Sequence, residues 1–429
     1  MPPTDASKER ARRQQLSKGM EHMRFAVTVD PIRNPSTPDL PTETYGVPHS
    51  FEPPRKPANR LDDPSNNQKR TDPFQFGSRL LEEGDDIFEF NAWDHVETDD
   101  AYKEFSQLQY QKQRESPVSD FEKRRINSNP EKFWDLFYKQ KTTNFFKNRK
   151  WLAQEFPIIS SLVSSPEPTL VLEVGAGAGN TAFPILALNQ NPNFKIHACD
   201  FSKKAVELIR DNEAYDERFI RADVWDVTSE TETLPPGIKA SSVDIVMMIF
   251  IFSALSPSQW DQAIRNIHSA LKPGGQVLFR DYGRGDLAQV RFKKGRWMEE
   301  NFYVRGDGTR VYFFEKDELE EIWSGKRHDR LDAETLAENV ETLNIGLDGE
   351  KATAEEPSPQ LTNPSNPRPK FEIVNIGVDR RMLVNRQRKL KMYRCWMQAV
   401  FRKSDDSQPS DEPGREPKKE VIDDTNNIE

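Results

Sequence analysis

Thr169 to Asn180 reads TLVLEVGAGAGN. Leu170, Val171, Leu172 and Val174 form a short apolar, β-branched run, enough for one buried strand. The run breaks at Gly175, Gly177 and Gly179, which alternate with alanine, and Asn180 and Thr181 suit the cap of a following helix. A strand that turns on glycines into a helix N-terminus lets a ligand approach bare backbone. Doubly wound α/β sheets hold nucleotide-like ligands in this way.

Spacing decides between nucleotides. The dinucleotide fingerprint needs a third glycine where Asn180 stands, and this chain has Gly179 instead. Glu173 stands two residues before the first glycine, where a carboxylate can face a cationic group. S-adenosylmethionine offers an ammonium and a sulfonium. NAD offers an anionic pyrophosphate that Glu173 would repel, so the methyl donor is the favoured cofactor. A glycine turn with no ligand is the weaker reading, because further acidic residues fall in place downstream.

Of 429 residues only 35% are hydrophobic and 31 are prolines, which predicts one good globular domain carrying much unstructured sequence. Acidic residues outnumber basic ones, 70 against 61, for a net charge of −9. Taken alone, that disfavours a nucleic acid partner. Two cysteines, Cys199 and Cys395, and the lack of a signal peptide point to a reducing compartment, cytoplasmic with a nuclear setting also open. No apolar run approaches the ~20 residues that span a bilayer. The six histidines and two cysteines show no metal-ligand spacing, so no metal is expected.

Residues 1–72 are rich in Pro, Ser, Thr, Asn and charge and read as a disordered tail, with a short basic stretch from Lys8 to Lys18. Residues 73–120 hold too many aromatics for a linker and too few residues for a core. They either dock on the main domain or bind a partner such as RNA. In 121–324 the first segment is basic and aromatic together, nine Lys and Arg against three Asp and Glu up to Lys150. Phe133, Trp134, Phe137 and Tyr138 share a helical face, which suits packing on the sheet. Lys147, Arg149 and Lys150, beside Phe145 and Phe146, suit phosphate contact with base stacking.

Beyond the glycine loop, KIHACDF is a second strand whose Asp200 can accept ribose hydroxyls. FIRADV is a third, with Asp223 placed for an adenine amino group, and SVDIVMMIF a fourth, with Ile249 near its end. QVLFRDYG is the fifth, ending in Arg280, Asp281 and Tyr282 on the same carboxyl edge. A long loop follows with seven basic residues against four acidic between Arg284 and Arg310, Arg305 among them. Residues 325–370 read as a disordered insertion, 371–403 as two closing strands, and 404–429 as an acidic disordered tail. Nine basic residues and one acidic lie between Asp379 and Lys403. The low overall charge therefore conceals a basic catalytic domain, and several separate basic stretches favour a nucleic acid partner. Strands alternating with helices predict a Rossmann-like α/β fold, a mostly parallel seven-stranded sheet with helices on both faces.

The runs FNAWDHVE, FWDLFYK, FFKNRKWL, LEVGAGAGN, CDFS, LKPGG, FRDYGRGD, RFKKG, NFYVRGDGTRVYFF, DRRMLVNR and MYRCW resemble the eukaryotic tRNA N3-methylcytidine methyltransferases. The likeness covers about 74–323 and 371–403, and FRDYG with NFYVRGDGTR is its narrowest part. It departs at Ala176, where cysteine is common in the family, and at the insertion after Trp323. The resemblance implies a class I methyltransferase that uses S-adenosylmethionine to methylate N3 of cytidine 32 in the tRNA anticodon loop. A protein partner in tRNA selection is compatible with it. It carries cofactor contacts to Trp134, Tyr138, Gly175, Asp200, Asp223 and Ile249, beside the Glu173 and Gly177 read from the loop. Asp281 is the candidate to stabilise the cationic base and Tyr282 to pack it. Lys147, Arg149, Arg280, Arg305 and Arg310 are candidates for tRNA contact, Arg280 being read as either structural or phosphate-directed. The rival reading is a methyltransferase for protein or small-molecule substrates, and a binding protein with a degenerate pocket is a second.

Overall fold

The alternation of strand and helix patterns closes into one large mixed sheet. The computed structural model describes residues 80–325, apart from 142 and 144, together with 368–404. The expected tail 1–72, most of the insertion (326–367) and the acidic tail from 405 lie outside the described residues. The strands are β1 (Ala92–Asp94), β2 (Thr169–Val174), β3 (Phe194–Asp200), β4 (Ile220–Val224), β5 (Val243–Ile249), β6 (Leu271–Tyr282), β7 (Trp297–Glu299), β8 (Phe302–Val304), β9 (Arg310–Tyr312), β10 (Phe371–Asn385) and β11 (Leu390–Lys403). The main sheet runs β1-β10-β11-β6-β5-β2-β3-β4. Its β6-β5-β2-β3-β4 half is parallel, and the β10–β11 hairpin and β1 add antiparallel strands beyond β6.

Buried parallel strands must be apolar on both faces, and β5 shows how the sheet divides its core. Val246 and Met248 point to one side, with Phe252, Trp260, Phe279, Trp323 and Phe401. Ile245, Met247 and Ile249 point to the other, with Leu152, Phe156, Ile159 and Ile185. The first face is covered by helices Trp260–Ala270 and Lys316–Ser324. The second is covered by Leu152–Glu155, Ile158–Ser164, Ala182–Leu186 and Lys203–Arg210. Trp323 is fully buried and stacks on Phe401, ring centroids 4.4 Å apart and nearly coplanar. Gly325, at φ +66, then ends the helix in a left-handed cap.

Two expectations change. The sheet has eight strands rather than seven, because the 73–120 segment supplies β1, which pairs Ala92, Trp93 and Asp94 with Leu383, Met382 and Arg381. Its aromatics dock on the domain: Phe88, Trp93, Tyr102 and Tyr110 form a core with Val290, Met382, Val384, Leu390 and Tyr393. Helix Asp100–Arg114 presents Tyr102, Ser106, Tyr110 and Gln113 inward, at the spacing that puts side chains on one face. The long basic loop is likewise built rather than loose. β7, β8 and β9 form a small antiparallel sheet, and Gln113 ties it down by accepting from the Tyr303 hydroxyl and donating to carbonyls of Gln289, Val290 and Phe292.

Trp93 is 2% exposed and donates its indole N–H to the Ile87 carbonyl at 2.7 Å. Trp93→Ala should cost about 3–5 kcal/mol of stability, the usual loss for a buried tryptophan. Urea denaturation reads that loss. Limited proteolysis should show new cleavage before Asp100, and a protected segment in the variant would show that the docking does not depend on this ring.

Candidate functional site

The cleft begins where β2 ends. Gly175, Gly177 and Gly179 take φ of +66, +59 and +80, the left-handed region in which a side chain is strained. Each also lies against a neighbour that a Cβ would strike. Ile251 would be met at 2.6 Å from Gly175, the Tyr138 hydroxyl at 2.6 Å from Gly177, and the Phe183 ring at 2.4 Å from Gly179. The turn therefore needs glycine for conformation and for space. Asp200, at the end of β3, holds it from the other side. One carboxylate oxygen accepts from the Gly177 amide and the other from the Ser202 amide, each at 2.9 Å.

A cleft opens over this turn. Its walls include Trp134 and Tyr138 from helix Pro130–Lys141, the loop Val174–Gly177, Asp200, Trp225–Val227 after β4, Ile249–Ile251 after β5, and Arg149 and Arg310. Glu173, which immediately precedes that loop, is 1% exposed, and among the described residues neither of its carboxylate oxygens has a hydrogen-bond partner. Burial pushes its carboxyl up to about 7, against the opposing charge of Arg149. The Thr181 hydroxyl and the Ala182 amide oppose the shift further without closing a hydrogen bond. Burial also pushes Asp200 up to about 6, against its amide hydrogen bonds from Ser202 and Gly177.

This donor set fits S-adenosylmethionine. An orphaned buried carboxylate is the complement of a cationic amino-acid head, and Asp200 retains lone pairs for ribose hydroxyls. Val227, Ile249 and Leu255 supply apolar wall for a purine.

Of the cofactor candidates, Trp134, Tyr138, Gly175, Gly177, Asp200 and Ile249 line the cleft, whereas Glu173, 1% exposed, immediately precedes the lining loop without being part of it. Asp223 does not. It is drawn to the rim of the sheet by His197 (3.0 Å), Arg210 (3.0 Å) and Arg221 (2.6 Å), so its oxygens are already committed. Asp226, three residues on, lines the cleft instead. The signal that finds Asp226 is that strand-end contacts come from the loop leaving β4 rather than from the strand itself.

The candidates on β6 separate. Asp281 is fully buried, with one oxygen accepting from the Ser253 amide at 2.9 Å and the other from its neighbour Tyr282 at 2.8 Å. Its carboxyl is pushed up to about 6 by burial, and it fastens the turn after β5 rather than facing the cleft. Arg280 is 1% exposed, ion-paired to Asp379, bonded to Gln398 and 3.6 Å from Glu155, with Trp151 and Trp396 on either side at 4.9 Å. It binds the closing hairpin to the core and offers no group to tRNA.

Tyr282 stands beside the cleft, its ring 5.0 Å from that of Phe250, which sequence reading missed. Phe250 lines the cleft at φ +62, a conformation costly for a bulky side chain and a mark of functional sites. The guanidinium of Arg149 lies 5.7 Å over Phe250 and that of Arg305 5.6 Å over Tyr282. Arg149 and Arg310, expected to contact tRNA, belong to the walls of the donor cleft, whereas Lys147 is exposed.

The parallel sheet, the glycine turn and the cation-complementary cleft together define a Rossmann-like class I methyltransferase that uses S-adenosylmethionine. A methyltransferase-domain family model matches residues 172–277. The chain is 46% identical over 330 residues to the tRNA(Thr) (cytosine(32)-N(3))-methyltransferase of Saccharomyces cerevisiae, across 77% of this chain and 46% of that one, so it spans about half that relative's length. It is 43% identical to a tRNA N(3)-methylcytidine methyltransferase of Schizosaccharomyces pombe, over 76% of this chain and 92% of that one. A relative of the same name in Drosophila melanogaster is 38% identical, over 78% and 90%. The chain belongs to the tRNA N3-methylcytidine methyltransferase family.

A cationic cofactor head held by Glu173 requires the ionised carboxylate, so binding through it would release the proton that burial retains there below about pH 7. Donor affinity should therefore rise as pH climbs from about 6 to about 8, by up to about tenfold per unit on the acid side. Calorimetry in buffers of different ionisation enthalpy should detect the released proton, and Glu173→Gln should flatten the profile. A flat profile in the unaltered protein would separate Glu173 from the cofactor.

Proposed function

We propose that this chain methylates N3 of cytidine 32 in the anticodon loop of tRNA, the position named for the Saccharomyces cerevisiae relative. The observation that carries the reading is the Phe250–Tyr282 ring pair at the edge of the donor cleft, with Arg149 and Arg305 set over its faces. A flat, unstacked base needs aromatic faces, and its flanking phosphates need cations.

Bound S-adenosylmethionine supplies an electrophilic methyl group. Cytosine N3 carries a free lone pair at neutral pH, so the new N–C bond forms as the S–C bond breaks and no side chain has to remove a proton first. The protein's work is to unstack the base, hold N3 in line and tolerate the positive charge that arrives on the ring. Tyr282 and Phe250 serve that last need, since an aromatic face attracts a cation. Asp281 acts one step back as a positioning residue. Its hydrogen bonds to Ser253 and Tyr282 keep the turn bearing Phe250 against the ring of Tyr282.

Lys147 and Lys150 are exposed beside Phe145, itself 53% exposed, and form the outer part of the proposed tRNA contact. The buried, unpaired state of Cys199 and Cys395 supports a reducing setting, and we place the protein in the cytoplasm.

Tyr282→Ala should lower the single-turnover rate at saturating tRNA and donor by about 10- to 30-fold, the worth of a desolvated cation–π contact. Tyr282→Phe should retain most of the rate, because the face and not the hydroxyl is used. Lys147→Ala should instead weaken tRNA binding and reduce the salt slope by about one, with the saturated rate near normal. A Tyr282→Ala enzyme at full rate would remove the ring pair from the reaction.

A further inference from the structure

Arg310 is 4% exposed, yet among the described residues no carboxylate pairs with it. Its guanidinium donates to two neutral amides, Asn127 and Gln259, each at 3.1 Å, and it lines the donor cleft across from Asp226. A buried cation with only neutral partners is an expensive arrangement unless something else uses its charge. Its own strand leads directly to the proposed base site. The carbonyl of Arg310 accepts from the Arg305 guanidinium at 3.0 Å, and that guanidinium lies over Tyr282.

The turn between β8 and β9 has a second tie to the donor cleft. Gly308, at φ +86, packs so closely on Phe133 that a Cβ would come within 2.2 Å of the ring. Phe133 sits on helix Pro130–Lys141, which presents Trp134 and Tyr138 to the cleft. One short hairpin thus touches the donor cleft through Arg310, the donor-binding helix through Gly308, and the base site through Arg305.

We infer that the β8–β9 hairpin couples donor binding to tRNA binding, with Arg310 as the residue that reports the filled cleft to Arg305. The inference rests on the tRNA reading above. In coupling terms, a ligand in the cleft fixes Arg310 and so prepays the ordering of Arg305 that tRNA would otherwise require. Coupling of this kind is reciprocal, so tRNA must tighten donor binding by the same factor.

The test measures the Kd of a threonine tRNA transcript by fluorescence anisotropy, with and without saturating S-adenosylhomocysteine. In the unaltered protein the cofactor product should tighten tRNA binding at least about fivefold, and calorimetry should show the same factor in the other direction. In R310Q the factor should fall to within about twofold of unity, with tRNA affinity in the absence of cofactor little changed. Gly308→Ala, which keeps both arginines but disturbs the seat on Phe133, should reduce the factor as well and decides the matter if R310Q does not fold. An unchanged factor in these variants overturns the inference. So does a factor of unity in a protein that methylates tRNA, which leaves the functional reading intact. A protein that neither binds nor methylates tRNA overturns both.

Discussion

Everything in the cleft depends on a chain reversal that only glycine can make. Three residues with positive φ within five positions bring the end of β2 against Ile251, Tyr138 and Phe183 with no room for a side chain. Each neighbour comes from a different part of the chain: the turn after β5, helix Pro130–Lys141, and helix Ala182–Leu186. The turn therefore both bares main chain at the cleft and fixes three separate elements at one point. Asp200 completes it by spending one hydrogen bond on the Gly177 amide.

Charge is handled in two distinct ways around that turn. Arg280 and Asp281 are adjacent on β6 and both buried, but each is fully engaged, Arg280 by side chains of the closing hairpin and Asp281 by backbone amides. They hold structure. Glu173 and Arg310 are equally buried and are left with no opposite charge in hydrogen-bond contact among the described residues. Unpaired buried charge is costly, and here Arg310 lines the donor cleft while Glu173 immediately precedes the loop that does. The contrast between satisfied and unsatisfied charge separates scaffold from site more reliably than charge alone.

The antiparallel half of the sheet explains why a methyltransferase core carries so much additional chain. β10 and β11 supply Asp379, Gln398 and Trp396 around Arg280, and β1 covers what would otherwise be the free edge of β10. The docked segment continues into helix Asp100–Arg114, whose Gln113 fastens the small β7–β8–β9 sheet. The N-terminal segment thus supports the small sheet in which Arg310 opens β9 and Arg305 sits in the turn before it.

The sequence by itself determined the α/β class, the cofactor turn, the strand ends carrying Glu173 and Asp200, and the aromatic face of Trp134 and Tyr138. Those signals are local. A β-branched run, a glycine spacing and a helical period are each complete within a few residues, so no distant partner is needed to read them. Tertiary structure alone decided the roles of Asp223, Arg280 and Asp281, because each depends on partners far along the chain. Asp379 lies 99 residues from Arg280, and Ser253 lies 28 from Asp281. It also decided which of Asp223 and Asp226 faces the cleft. Sequence marks where a strand ends but not which neighbours capture the side chains there. The left-handed Phe250 and the eighth strand belong to the same category: one is strain held by surrounding contacts, the other an edge pairing that brings Ala92 to Leu383.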